Sequence, residues 1–389
     1  MSRDLILSNA RIVTRTAVIE GSVCVENGLI RSVDDGASTV SSTTPIVDFA
    51  GDYLLPGLIE IHTDNVEKHF APRPTVIWPA PMAALASHDN QIAGSGITTV
   101  LNALGVGDYK GRDARRHALH ATFSIVKEAQ GNDLLRAEHF FHLRCETSDP
   151  NLLEIVTPYF DEPTVRLASH TDHTPGERQW RDLATFRKYH ADFEWSQNDE
   201  DFKAFIAERQ SIQREHATKN RAAVAKICQE RGISLASHDD TTEEHVNMAI
   251  ESGVTLSEFP CTIDAAKLAH EHNLKVIAGA PNVVRGGSLA GNASALDFAK
   301  EDLLDILSSD YMPVSLAHAA FILNDKLGVT LPDAVAKASA NVADALGFDD
   351  RGEIVPGKRA DMVRVTLSKN EAGDVPVVRE VWRQGVRIN

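Results

Sequence analysis

The sequence predicts an α/β protein: an eight-fold parallel (β/α)8 barrel over residues 56–347, joined to a small β-sandwich domain that both termini, 1–55 and 348–389, build together. Three observations carry that prediction. Eight short apolar runs alternate with helix-period stretches through the middle of the chain, and both ends alternate apolar and polar residues at the two-residue period of half-buried strands. No Gly-x-Gly-x-x-Gly turn of an open nucleotide-binding sheet follows any of the runs. Eight strand–helix units over about 290 residues suit a barrel, which typically takes about 250 and grows by insertion.

The elements follow in order. LILSNARIV and SVCVENGLIRSV read as strands broken by Gly21 and by Asn27-Gly28, a pair that favours a tight hairpin turn; the stretch from Gly36 to Thr44 is punctuation. The barrel runs are GLIEIH, GITTVLNAL, EHFFHLRCE, TVRLASH, ISLASH, VTLSEF, KVIAGA and LLDILSSD. Between the fourth and fifth lies a long helical stretch from Glu200 to Arg231 with a charged, solvent-facing side. EIVPGKRADMVRVTL and VPVVREVWRQGVRIN, turning at Gly357 and Gly385, return to the strand pattern.

Composition excludes several classes. With 389 residues and 43% hydrophobic content the chain buries a large core, and no apolar run approaches a membrane span. A net charge of −16 argues against a nucleic-acid partner, which calls for a basic face, and at first sight against an anionic substrate. The start lacks a secretory pattern, and Cys24, Cys145, Cys228 and Cys261 are scattered without a pair. Both features fit buried thiols in a reducing cytoplasm.

In a barrel of this type the reactive groups gather where strands end at the C-terminal face. The first run ends in His62-Thr63-Asp64, whose outer members face the same way; the third ends in Glu146, and His170, Asp172 and His173 follow the fourth. The fifth ends in His238-Asp239-Asp240 and the eighth in Asp310. Unpaired ionisable groups around one buried mouth are costly unless a cation joins them, and mixed imidazole and carboxylate donors suit a divalent metal.

The segment PGLIEIHTD, the barrel behind it and the closing GEIVPGKRADMV resemble the amidohydrolase superfamily. IEIHTDNVEKHFAPRPTVIWP, HTDHTPGERQW, APNVVRGGSLAGN and LLDILSSDYMP resemble, within it, the diphosphatases of the carbon–phosphorus lyase pathway of phosphonate metabolism. The resemblance implies hydrolysis of α-D-ribose 1-methylphosphonate 5-triphosphate to the 5-phosphate and pyrophosphate. It implies one or two divalent ions (zinc, manganese or iron) held by His62, Asp64, Glu146, His173, His238 and Asp310, with Asp310 taking the proton of the attacking water. Asp64 stands where the superfamily usually has a second histidine, and the sixth run ends in Ser257-Glu258, so His173 or Glu258 fills that ligand position.

A small-molecule triphosphate also needs cations from the protein. Lys68, Arg73, Arg144, Arg178 and Arg285 lie just beyond strand ends or inside these motifs, and Pro72-Arg73-Pro74 stiffens the first loop. Carboxylates that hold metal ions are neutralised locally, so the net charge does not set the sign at the mouth. A homodimer and a cytoplasmic location complete the expectation. The rival is amide or cyclic-amide hydrolysis, as in deacetylases and dihydroorotases; a scaffold without activity is the reading from another class.

Overall fold

The computed structural model describes residues 4–36, 44–73, 76–107, 114–288, 291–369 and 373–389; Pro74, the turn stretch 37–43 and Leu289-Ala290 of the seventh-strand motif lie outside them. Sixteen strands among these residues form two sheets. The first contains β1 (Leu5–Val13), β2 (Val18–Glu26), β3 (Leu29–Asp35), β4 (Ile46–Asp48), β5 (Tyr53–Pro56), β14 (Met362–Ser368), β15 (Val375–Arg383) and β16 (Val386–Arg387). β5 pairs with β1 on one side and with β14 on the other, so strands from both chain ends make one sheet. The β2–β3 hairpin turns at Asn27 and Gly28, both left-handed (φ 55° and 80°), the conformation that an Asn-Gly pair adopts at low cost. This sheet has its own core, in which Leu7, Ile12, Ile30, Leu54 and Met362 surround the stacked rings of Phe49 and Trp382.

The second sheet is the barrel. Its strands, β6 (Leu58–Thr63), β7 (Ile97–Val106), β8 (Glu138–Glu146), β9 (Val165–Thr171), β10 (Ser234–His238), β11 (Leu256–Glu258), β12 (Lys275–Gly279) and β13 (Ile306–Ser308), pair in sequence order and are all parallel. Each lies within a predicted run or one or two residues from it. The predicted long helix is Asp199–Arg231, capped by the Asn198 side chain and ended by left-handed Gly232.

Between β6 and β13 side chains close the barrel. Glu60 accepts from the Ser308 hydroxyl (3.0 Å), the Ser309 amide (2.6 Å) and the His62 amide (2.7 Å), and Thr63 bridges to Asp310. The lower interior is apolar: Ile59, Ile61, Leu101, Leu167, Leu256, Ile277 and Ile306 pack with Val342, Leu346 and Phe348. Arg166 and Ser234, near the starts of β9 and β10, bond to the carbonyls of Leu346 and Ala345, so the helix Ala340–Leu346 plugs the N-terminal end. The chain crosses from one sheet to the other at Gly57. A Cβ there would lie 2.3 Å from the Thr98 hydroxyl and 2.9 Å from Asp361, so only glycine fits.

Candidate metal centre

Side chains alternate in direction along a strand, which places the reactive groups. Leu167, Ala236, Leu256, Ile277 and Ile306 belong to the apolar plug; two residues on, the same strand faces carry Ser169, His238, Glu258, Gly279 and Ser308. On β8 the sequence Phe140, His142, Arg144, Glu146 climbs one face from that plug to the mouth. The interior therefore turns from hydrocarbon to imidazole and carboxylate within one step of each strand.

Glu258 is the centre of the polar layer. Its Oε1 lies 2.6 Å from His62 Nδ1 and 3.8 Å from His142 Nδ1, and its Oε2 lies 3.8 Å from His238 Nε2. His62, His142 and Glu258 are buried, and each offers a ligand atom within 4.8 Å of the others. Burial, with Arg144 and His238 adding positive charge, drives the His62 imidazolium well below its ordinary value. Burial brings His142 down to about 3. Both rings are neutral, the form that binds a cation. His142 is oriented by Ser169, whose hydroxyl lies 2.9 Å from Nε2, leaving Nδ1 directed at the cluster. His142 Nδ1, Glu258 Oε2 and Asp64 Oδ1 are buried atoms that make no hydrogen bond. Such orphaned acceptors are expensive in a dry interior, and a divalent cation satisfies them. The donor set fits the metal that the superfamily resemblance implies.

A second group adjoins the first. Glu146 accepts from Ser148 (2.8 Å) and lies 2.6 Å from His173 Nδ1. Burial opposes its charge, yet His173 holds the carboxyl down at about 2. His238 pairs with Asp239 at 2.9 Å; burial works against its imidazolium, but Asp239 outweighs it and the value is raised. The His238 ring lies 5.8 Å from that of His62 and 6.0 Å from that of His173, so it joins the two groups. At the seam, the Thr63 hydroxyl donates to the Asp310 carbonyl (2.7 Å). Burial, then the nearby Asp64 charge, raises the Asp310 carboxyl to about 6. Arg144 is enclosed, but Asp64, Glu258 and Asp310 face it and hold its charge above the ordinary value.

The structure thus gathers His62, Asp64, His238 and Asp310 with Glu258 and Arg144, and pairs Glu146 with His173 beside them. His142 escaped the sequence reading because it sits in mid-strand; its spacing of four from Glu146, on one strand face, was the available signal. Arg178 differs from the expectation of a phosphate grip. It is 4% exposed, in a left-handed backbone conformation (φ 44°), and its guanidinium donates to the His238 carbonyl (2.7 Å) and to Asp240. Its charge is committed inside the protein, where it straps the loop after β9 to the end of β10. Lys68 is half-exposed over the mouth, donating to the Tyr311 carbonyl (3.3 Å) with its ammonium 3.8 Å from Asp64. Arg73 and Arg285 are exposed, the latter at the end of the helix Ala280–Arg285.

Comparisons with known proteins agree with this geometry. The chain is 40% identical over 386 residues to the alpha-D-ribose 1-methylphosphonate 5-triphosphate diphosphatase of Escherichia coli (strain K12), covering 99% of this chain and all of that one. Among solved structures it is similar to an enamidase of the amidohydrolase superfamily (TM-score 0.63, 15% identity, 99% of this chain and 95% of that one). The N-acetyl-D-glucosamine-6-phosphate deacetylase of Mycobacterium smegmatis is similar to the same degree (TM-score 0.63, 14% identity, 99% of both chains), and both likenesses speak for the fold alone. The profile of the amidohydrolase family matches residues 53–388, from the strand before the barrel to the last strand of the terminal sheet. On that match, and on a closed barrel whose mouth presents imidazoles and carboxylates, the chain belongs to the amidohydrolase family.

Proposed function

We propose that the chain hydrolyses α-D-ribose 1-methylphosphonate 5-triphosphate to the 5-phosphate and pyrophosphate, in the breakdown of phosphonates. The observation that carries this reading is the end-to-end match, at 40% identity, to the diphosphatase of that name. The mouth supports it chemically, because it combines a cation-binding donor set with protein cations that suit a polyanion.

In this reading His62, His142, His238 and Glu258 hold a divalent ion, zinc, manganese or iron, with Asp64 and the His173–Glu146 pair completing the set. Bound there, the ion supplies Lewis-acid chemistry, drawing charge from phosphoryl oxygens and lowering the pKa of water from 15.7 toward about 7. Asp310 takes the proton of the attacking water; in the metal-free site burial and then the Asp64 charge raise its carboxyl, the direction that makes a carboxylate a better base. Arg144 and Lys68 bind triphosphate oxygens, Arg144 with a planar guanidinium whose charge is favoured by Asp64, Glu258 and Asp310 despite burial. Ser169 orients His142 and Arg178 orients the end of β10. The four free, buried cysteines suit a reducing cytoplasm.

Phosphorus NMR of the reaction on the ribose 5-triphosphate tests the proposal. Pyrophosphate formed with metal and lost with chelator is the expected result. Orthophosphate as sole product, or no reaction with any of the three metals, overturns it.

A further inference from the structure

Behind the first loop of the mouth lies a buried hydrogen-bonded chain that the proposed chemistry does not use. It runs between the helix Pro81–Gly94 and strands β7 and β8, linking Asp89, His139, Asn102, His88 and Asn65. The first four have no exposed surface, and Asn65 has 4%. So many polar groups in one dry layer are tolerable only when every donor meets an acceptor, which makes their arrangement deducible.

The deduction starts at Asp89. Its carboxylate accepts from the backbone amides of Arg136 (2.9 Å) and Ala137 (2.9 Å). Burial opposes its charge, but His139 and those amides hold it below the usual carboxylate range. A carboxylate only accepts, so His139 Nε2, 3.2 Å away, carries a hydrogen. Asn102 is fixed independently, since its Nδ2 donates to the Phe140 carbonyl (3.2 Å). The other Nδ2 hydrogen points at His139 Nδ1 (3.1 Å), which must be a bare acceptor, so the His139 ring is neutral.

Asn102 Oδ1 then accepts from His88 Nε2 (2.9 Å), and His88 Nδ1 accepts from Asn65 Nδ2 (3.2 Å). The second Asn65 hydrogen goes to Gln91 Oε1 (2.9 Å), and His69 Nε2 lies 3.0 Å from that oxygen and 3.3 Å from Asn65 Nδ2. Burial pulls His88 down to about 3, in keeping with a neutral ring. Reversing either imidazole sets two donors or two acceptors face to face. One buried charge therefore fixes the tautomer of each ring and the rotamer of each amide as far as Asn65.

Asn65 opens the helix Asn65–Phe70, directly after Asp64 and three residues before Lys68. Its backbone N–H also donates to the Thr63 hydroxyl (3.3 Å), the group that holds the Asp310 carbonyl. We propose that the chain from Asp89 to Asn65 is a positioning device that aims the Asp64–Lys68 segment, and through Thr63 the Asp310 loop, into the mouth. His88, Asn102 and His139 are positioning residues and touch no reacting atom. The inference rests on the mouth being the reacting centre, as read above.

Two measurements test it. In the full-length protein labelled with nitrogen-15 at histidine, His88 and His139 both give the signature of a ring with its hydrogen on Nε2 and a bare Nδ1. That experiment is independent of the substrate and of any variant's folding; an Nδ1–H tautomer at either position overturns the proposal. Asn102→Asp puts an acceptor against the Phe140 carbonyl and His139 Nδ1. It is expected to change both tautomer signatures, lower kcat/KM about tenfold or more and weaken divalent-ion binding by a similar factor. Asn102→Asp that melts earlier but keeps its ion affinity and kcat/KM well below the melting point marks a purely structural layer and also overturns the proposal. Ion affinity is read without substrate, so a wrong substrate assignment leaves this result intact.

Discussion

Glu258 is the most informative residue to change, because it touches three histidines and its role in holding a cation can be separated from its role in folding. Glu258→Gln keeps the shape but removes the charge and turns one carboxyl oxygen into a donor facing His62 or His238, at 2.6 and 3.8 Å. In metal-free protein two effects oppose each other. The charge-assisted bond to His62 is worth about 1.5–3 kcal/mol, while burying a carboxylate whose Oε2 makes no hydrogen bond, with His238 Nε2 3.8 Å away, costs a comparable amount. The melting temperature without metal should therefore move little. With metal the balance changes. If the parent is assayed at about 1,000 times its dissociation constant, the ion stabilises the fold by about 4.1 kcal/mol; a 100-fold loss of affinity leaves about 1.4 kcal/mol. For 389 residues the unfolding entropy is about 0.8 kcal/mol per kelvin, so the missing 2.7 kcal/mol appears as a metal-induced upshift smaller by about 3 °C. Differential scanning calorimetry with and without metal, with a competing chelator for affinity, measures both quantities. Metal affinity within threefold of the parent would refute the placement of Glu258 at the centre of the site.

Asp310→Asn should lower turnover by about 100-fold or more while leaving triphosphate binding measurable, and near-normal turnover in a pyrophosphate-release assay sinks the base assignment. Arg144→Met should raise KM for the triphosphate by about 10–100-fold, against about threefold at most for the exposed Arg285→Met; equal effects refute the ranking by burial. Glu60 gives a pH test in metal-free protein: burial raises its carboxyl from 4.5 to about 7, so the folded state holds a proton that the unfolded chain has released. That contribution is full below about pH 4.5 and is lost as pH rises through 7, so the parent's stability relative to Glu60→Gln should fall by about 3 kcal/mol across the interval, and a constant difference in urea titrations contradicts it. Five carboxylates (Asp64, Glu146, Asp239, Glu258 and Asp310) surround the mouth against Arg144 and Lys68, so triphosphate binding by calorimetry should be barely detectable without metal and should tighten the ion by the same factor.

What was legible in the sequence divides along a physical line. Strands and turns were readable because their signals are local: apolar runs of barrel length, Asn27-Gly28 with two left-handed residues, and Gly232 closing the long helix. That strand-end residues such as His62, His238 and Asp310 meet at one mouth was readable because a parallel barrel brings the C-terminal ends of its strands to one face. His142 was hidden because strand ends were searched and not strand faces; its Nδ1 reaches Glu258 from four residues before the strand's end. Arg178 misled because an arginine in a motif reports charge but not direction, and only the fold shows that charge turned inward to Asp240. The layer from Asp89 to Asn65 was invisible for a deeper reason. Its members are ordinary polar residues spread over four elements, and nothing in a sequence says that five of them meet without water. The same limit governs the net charge of −16. It predicts repulsion of a triphosphate only if acidic groups act as a sum, whereas here several of them converge on Arg144 and on the cluster of His62, His142 and Glu258. Convergence is a property of the fold, and in the proposed reading it is a bound cation, not the sum of charges, that sets the sign at the mouth.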